Sequence, residues 1–418
     1  MGSLEVYGRR RQVVSRRLQR MASWITRTMD RRTWVIGVLL AGVAPLTGPH
    51  AVRNWTPTGA LRVGRDLQSA TLLRDGDVLV VGGEGDATES GGTFPPLASA
   101  ELYDPRQGRW RSTSAMAHPR EEHAAVPLPD GRVLVAGGRA GLDATTLASA
   151  EIYDPRRAAW ARTGSMQDAR YAAVVASLPD GEVLIAGGEG KGLGPLSHPL
   201  RSAEVYDPRC GVWRRTGSLH VARVDAAAAV LPDGRVLVAG GDDKYEHVVA
   251  AAEVYDPRRG TWTLTRPMHG ARAQAEATML VDGRVLVAGG VTFAGPPDGR
   301  LYAIPADGCE IYDPRRATWT RTGSLLAARF GQGQVRLRNG SVLVAGGGGF
   351  VDGETTTLND AEVYDPVQGT WAYAGRMSTR RSGQTATSLA DGRVMVVGGL
   401  LNDYFNGSPL RNVDIFTP

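Results

Sequence analysis

The sequence predicts an all-β chain in which seven four-stranded blades surround one axis. Three observations predict it. A set of Trp, Asp-Gly (once Asn-Gly), Gly-Gly and an aromatic residue recurs seven times at constant offsets between residues 55 and 418. The apolar runs between these marks are short and continuous. The first repeat also opens on the strand that the last repeat lacks. Length alone, 418 residues, would suggest two or three domains, but internal periodicity takes precedence over that prior.

The tryptophans are Trp55, Trp110, Trp160, Trp213, Trp262, Trp319 and Trp371. Twenty residues after each stands a two-residue turn, from Asp75-Gly76 to Asp391-Gly392, with Asn339-Gly340 in the sixth repeat. Asp-Gly between apolar runs is a strong hairpin signal, because both residues tolerate positive φ. The run that follows, such as Val133-Leu134-Val135-Ala136, fits a strand buried on both faces. Twenty-seven residues after each Trp a glycine doublet begins: Gly82, Gly137, Gly187, Gly240, Gly289, Gly346 and Gly398. It ends that strand where a neighbouring sheet must come close. Seven residues before each later Trp stands a tyrosine (Tyr103, Tyr153, Tyr206, Tyr255, Tyr312, Tyr364), and Phe416 takes that place at the end. In Tyr-Asp-Pro, proline presets φ and aspartate can bond the backbone ahead. The aromatic pair supplies broad faces for packing blade on blade. Each unit therefore reads as strands A to D: A before Asp-Gly, B ending in Gly-Gly, C ending in Tyr-Asp-Pro, and D beginning at Trp.

This combination resembles the kelch and galactose-oxidase-like propeller family over residues 55–418. The resemblance implies a seven-bladed kelch-type β-propeller. Its last blade would be closed by the N-terminal strand in a 3+1 arrangement, leaving no open sheet edge.

Composition agrees with that fold. There are 54 Gly and 24 Pro, and 42% of residues are hydrophobic, too many for a disordered chain. Residues 1–54 carry ten Arg and two acids, a net +8 against +5 for the whole chain, so 55–418 carries −3. A nucleic-acid partner is therefore not expected, because the folded part lacks a basic footprint. The two cysteines, Cys210 and Cys309, fall in non-neighbouring blades, too far apart for a disulfide.

Residues 1–54 read as a leader and linker. Arg31-Arg32 precede the apolar stretch Trp34–Ala44, which is shorter than the roughly 20 residues that span a bilayer and has the form of an export signal. Asp30–Val35 also resembles a bacterial twin-arginine signal. The expected location is secreted, periplasmic or cell-envelope, by either route. Membrane contact is expected only through an uncleaved leader, and the protein is expected to be a monomer.

Between Gly-Gly and strand C the spacing varies, as in Glu84–Ala98 and Val291–Asp307. These B–C loops share a face with the D–A connections, and variable loops on a constant scaffold are where recognition concentrates. Ten residues after each Trp stands an arginine: Arg65, Arg120, Arg170, Arg223, Arg272, Arg329 and Arg381. Kelch domains use arginines at such a mouth to hold acidic partners. The alternative is an ion pair with the acid repeated on strand C (Glu101, Glu151, Glu204, Glu253, Glu310, Glu362, Asp414), and that scaffold reading is the expectation. Departures from the repeat are the better candidates: Glu121, Glu122 and His123 beside Arg120, Tyr171 beside Arg170, Asp225 near Arg223, and Gln274 and Glu276 near Arg272. Two His with two Glu, His118 to His123, could in principle hold a metal. Their spacing matches no zinc signature, and a solvated stretch is expected there. The remaining histidines (His198, His220, His247, His269) are expected to face solvent.

The resemblance further implies that a galactose-oxidase activity would need copper on two Tyr and two His, with a Tyr–Cys bond. No such dyad is recognisable, so no catalytic residue and no cofactor are expected. The expected function is a binding or scaffold module for a protein or carbohydrate ligand. A degenerate oxidase or another carbohydrate-active enzyme is the competing expectation.

Overall fold

The computed structural model describes residues 54–86, 94–141, 145–191, 198–243, 247–294, 302–351, 354–401 and 407–418. The leader, residues 1–53, and the middle of every B–C loop lie outside them. Among the described residues there is no helix. Seven antiparallel sheets follow the expected A-B-C-D order. Blade one runs Ser69–Leu72, Val78–Val81, Ala100–Asp104 and Arg109–Ser112. Blade seven takes Thr385–Ser388, Val394–Val397 and Val413–Thr417 from the end of the chain. Its fourth strand is Asn54–Pro57, with Trp55 opposite Phe416 and Asn54 opposite Thr417. The 3+1 closure is therefore present.

Blade six departs from its sisters. Its C and D strands, Glu354–Asp365 and Thr370–Arg381, are each twelve residues long, with register shifts around Asp360.

The core is a set of layers between blades. Val183, Ile185, Tyr206 and Trp213 of blade three pack on Val126, Leu134 and Ile152 of blade two. The same pattern crosses the closure, where Val78, Val80 and Tyr103 of blade one meet Met395, Val397 and Ile415 of blade seven. Every B strand is buried along its whole length. This is why those runs are apolar without alternation.

The glycine doublets explain how the ring is held. The second glycine of each doublet donates its N–H to the carbonyl of the repeated arginine in the next blade. The bond is 2.9 Å for Gly83 to Arg120, and it recurs in every blade through Gly399 to Arg65, 2.9 Å, across the closure. A Cβ on Gly82 would sit 2.4 Å from the Arg120 carbonyl oxygen, so the first position of the doublet also admits only glycine.

Outer contacts reinforce the seams, and three of them add a glycine amide bond. Tyr103 and Trp110 stack with centroids 5.0 Å apart. The Tyr103 hydroxyl bonds Thr58 of the preceding blade at 2.8 Å. Gly164, Gly217 and Gly323 donate to the carbonyls of Gly211, Gly260 and Gly369 in the next C–D turn at 3.0, 2.9 and 3.0 Å.

Candidate functional site

The repeated arginines lie beneath the B–C/D–A face, and each is buried. In blade four, Arg223 Nη1 donates to the Gly240 and Ala251 carbonyls at 2.8 Å each, and Nη2 reaches Glu253 Oε1 at 2.8 Å. Arg65, Arg120, Arg170, Arg272, Arg329 and Arg381 repeat the pattern, each with the strand-C acid of its own blade. The acid is held in turn by the D–A connection: Glu253 accepts the N–H groups of His220 and Val221 at 2.8 and 3.1 Å. The arginine thus joins three parts of its own blade with its side chain and the preceding blade with its carbonyl. This is the scaffold geometry, and it withdraws Arg120, Arg170, Arg223 and Arg272 from the surface offered to a ligand.

His220 and His269 are exposed, as expected, and each Nδ1 also lies 2.7 Å from the strand-C carboxylate, Glu253 and Glu310. One further expectation is corrected: the stretch around Glu121 is not solvated. Glu121 is almost wholly buried, and Arg139 bridges it to Glu122 at 2.9 and 2.6 Å. The Arg139 guanidinium lies over the Tyr171 ring, 4.6 Å from its centroid. Burial pushes the Glu121 carboxyl well above its ordinary range; Arg139 opposes this and the nearby Glu84 adds to it. Burial also raises Glu122 and depresses His123 to about 3. The His123 Nε2 lies 2.9 Å from the Ser69 hydroxyl of blade one.

Local backbone explains these placements. The second residue after each repeated arginine takes a left-handed conformation: Leu67, Glu122, Ala172, Asp225, Gln274, Gly331 and Gly383, with φ between 48° and 69°. Non-glycine residues rarely adopt it, so this rim is strained and held by its surroundings. Consecutive members bond one another around the axis, as in Ala172 N–H to the Glu122 carbonyl at 3.0 Å and Gln274 N–H to the Asp225 carbonyl at 2.9 Å. The turn directs Glu122, Asp225 and Gln274 to the channel rim. Gln274 Nε2 donates to Asp225 Oδ2 at 3.3 Å. Burial first, then Glu122 and Asp242, pushes Asp225 up to about 7. Glu276 begins strand A, the innermost strand of blade five; its side chain is exposed to the channel, and partial desolvation by the channel wall raises it to about 7.

The residue before each rim position pairs with the residue after Gly-Gly. Asp66 faces Glu84, Glu121 faces Arg139, Tyr171 faces Glu189 and Val224 faces Asp242; Ala273 faces Val291 and Ser382 faces Leu400. The wall of the mouth is therefore divided. On blades one to four it holds the buried Asp66, Glu84, Glu121 and Tyr171 with the half-buried Arg139, Glu189 and Asp242, whereas on blades five to seven it holds the buried Val291 and Leu400 and the half-buried Phe330. Sequence reasoning missed Glu84, Arg139, Glu189 and Asp242. Their shared place directly after the glycine doublet is the signal that could have found them.

A copper centre does not fit these residues. Among the described residues no three His, Cys, Asp or Glu side chains come together in a ligating arrangement. Cys210 is exposed in a C–D turn, on the opposite face, and Cys309 is buried among Ile311, Tyr364 and Trp371. Burial raises the Cys309 thiol to about 12.

Comparison with known proteins agrees with the fold. The Kelch motif matches residues 123–167, 170–220, 224–269 and 337–378, which are blades two, three, four and six. An F-box/kelch-repeat protein of Arabidopsis thaliana is 37% identical over 102 residues, 24% of this chain and 26% of that protein. The match thus spans about a quarter of the relative's length. Among solved structures, a fungal alcohol oxidase of the AA5 family, in complex with copper, superposes with a TM-score of 0.69 at 19% identity, covering 88% of this chain and 76% of the oxidase. The structure of YjhT superposes with a TM-score of 0.57 at 16% identity, covering 75% of this chain and 98% of YjhT. At these identities the likeness is one of fold.

Proposed function

We propose that this chain, a seven-bladed kelch-repeat β-propeller, is an extracytoplasmic binding module whose B–C/D–A mouth engages a protein or glycan. One observation carries the reading. Seven nearly identical blades support a mouth whose residues differ from blade to blade, with carboxylates, Arg139 and Tyr171 on one side and apolar residues on the other. Identical supports are what a stable ring needs, whereas a divided mouth suits a ligand that is itself asymmetric. Kelch propellers generally bind proteins, which favours a protein over a glycan.

The test compares wild type with a Gln274→Ala variant at the exposed rim and with an Arg338→Ala variant in the A–B turn of blade six. The probes are a glycan array and a cell-envelope extract. The expected result is selective capture that the mouth variant loses while its melting temperature is kept and the turn variant is unaffected. Capture lost only in the turn variant would place recognition on the other face. Export is tested by fusing residues 1–54 to a reporter active only outside the cytoplasm. A reporter that stays silent refutes the extracytoplasmic part.

A further inference from the structure

The seam between blades four and five lacks the glycine amide bond that closes the seams on either side of it. Where Gly164, Gly217 and Gly323 close on the next C–D turn, an added Cβ would fall 2.4 Å from the facing carbonyl oxygen. At the fourth seam the two places hold Arg266 and Ala317, so both partners carry a Cβ. Among the described residues the amide-to-carbonyl bond that Gly164, Gly217 and Gly323 make is not made there. Blade one, which has Ser114 at this place, closes its seam by a hydroxyl bond to the Ala158 carbonyl at 2.6 Å. The fourth seam keeps the Trp319 indole bond to the Arg266 carbonyl at 2.9 Å and a longer Tyr312–Thr265 hydroxyl bond at 3.3 Å, but at the turn itself it has a 3.5 Å approach of the Thr265 hydroxyl to the Ala317 carbonyl.

The opened seam is a groove of about 370 Å³ on the A–B/C–D side. Its walls carry four guanidinium groups, Arg235, Arg259, Arg266 and Arg316, against one carboxylate, Asp256, and threonine hydroxyls line its floor. Arg235 and Arg316 are engaged at 2.7 and 2.9 Å by Asp233 and Asp313 at the margin. Arg259 is 81% exposed and only 3.8 Å from Asp256 at best. Arg266 makes no ion pair among the described residues. A folded part that is net negative thus gathers a local cationic excess at a seam where the glycine pair is replaced by Arg266 and Ala317.

We infer that this groove is a second binding site, for a compact oxyanion: a phosphate or sulfate group, free or carried on a sugar. Guanidinium forks match tetrahedral oxyanions in geometry and charge, and threonine hydroxyls add neutral donors. The inference is independent of the mouth, which lies on the opposite face and whose carboxylates would repel such a ligand.

The experiment is calorimetric titration of the intact propeller with inorganic phosphate, inorganic sulfate, glucose 6-phosphate and glucose 6-sulfate, against sodium chloride at matched ionic strength. Saturable binding is expected for at least one oxyanion. Arg259→Ala/Arg266→Ala should weaken it about tenfold or more, since each lost charged contact is worth about a factor of ten. Arg157→Ala, the same turn position in the latched blade two, should leave it unchanged. Arg266→Gly/Ala317→Gly, which restores the latch, should abolish binding and raise the melting temperature. If the sugar esters bind more tightly than the free ions, the carried group is the ligand; equal affinity assigns the free ion. The inference is overturned if no oxyanion exceeds the chloride control, or if Arg157→Ala weakens binding as much as the double variant does.

Discussion

Replacing Arg223 by alanine tests the claim that the arginine ring is structural. The substitution removes four hydrogen bonds from one buried cation, three at 2.8 Å and one, from Nε to the Val221 carbonyl, at 3.3 Å. Each charge-assisted bond is worth about 1.5–3 kcal/mol net, but the four share a single group and do not add in full. Breaking one partner of a buried ion pair costs about 3–5 kcal/mol. Glu253 is not wholly stranded, since it keeps the His220 and Val221 amides and the His220 ring at 2.8, 3.1 and 2.7 Å. The expected loss is therefore at the lower end of that range, about 3 kcal/mol. The control is Arg235→Ala, which breaks a 2.7 Å pair with Asp233 at the surface and should cost about 0–1 kcal/mol. Urea unfolding followed by both tryptophan fluorescence and circular dichroism measures the two. A loss for Arg223→Ala no greater than that of the control would refute the reasoning. An unchanged or raised stability would mean that the guanidinium is not fastening its blade.

Three further outcomes are expected. Deleting residues 54–61 removes the fourth strand of blade seven, including the Trp55 stack on Phe416. It should lower the stability of the whole ring as one cooperative transition, and a separate low-stability phase alone would contradict closure. Gly164→Ala places a Cβ 2.4 Å from the Gly211 carbonyl oxygen and should cost on the order of 2 kcal/mol. Gly76→Ala, which meets no atom within 4 Å but sits at φ +97°, should cost only about 1 kcal/mol; equal losses in denaturant midpoint would contradict the seam geometry. For pH, Asp225 and Glu276 rise from 3.8 and 4.5 to about 7. Between those values the folded chain holds protons that the unfolded chain has released, so these two groups make stability fall as pH rises through that window. Asp225→Asn/Glu276→Gln should thus stabilise the protein more at pH 8 than at pH 5, and melting curves at the two values check the sign.

Much of the fold was legible because each repeated mark answers a backbone requirement. The glycine doublet is needed where Arg120 and its counterparts approach, and the turn glycines are needed for positive φ. The arginine–acid pairing was legible because both residues recur once per blade. The mouth was harder to read. Glu121 to His123 look like a solvated loop until the left-handed turn at Glu122 is known, because that turn carries the stretch inward. The partners of His220 and His269 depend on how the D–A connection lies across strand C, and no local pattern encodes that. The long strands of blade six rest on the run Gly346–Gly349. A Cβ on Gly348 would fall 2.5 Å from the Phe330 ring, a contact between residues whose sequence spacing suggests nothing.

Pairing Asn54 with Thr417 also gives the propeller a direction. Strand C of every blade ends at the A–B/C–D face, so Thr417 lies there, and Asn54 beside it. Whatever is joined to Asn54 by the preceding residues must depart from that face. A molecule tethered through its N-terminal segment would therefore stand with its divided mouth pointing away from the attachment point, and its arginine-lined groove pointing back towards it.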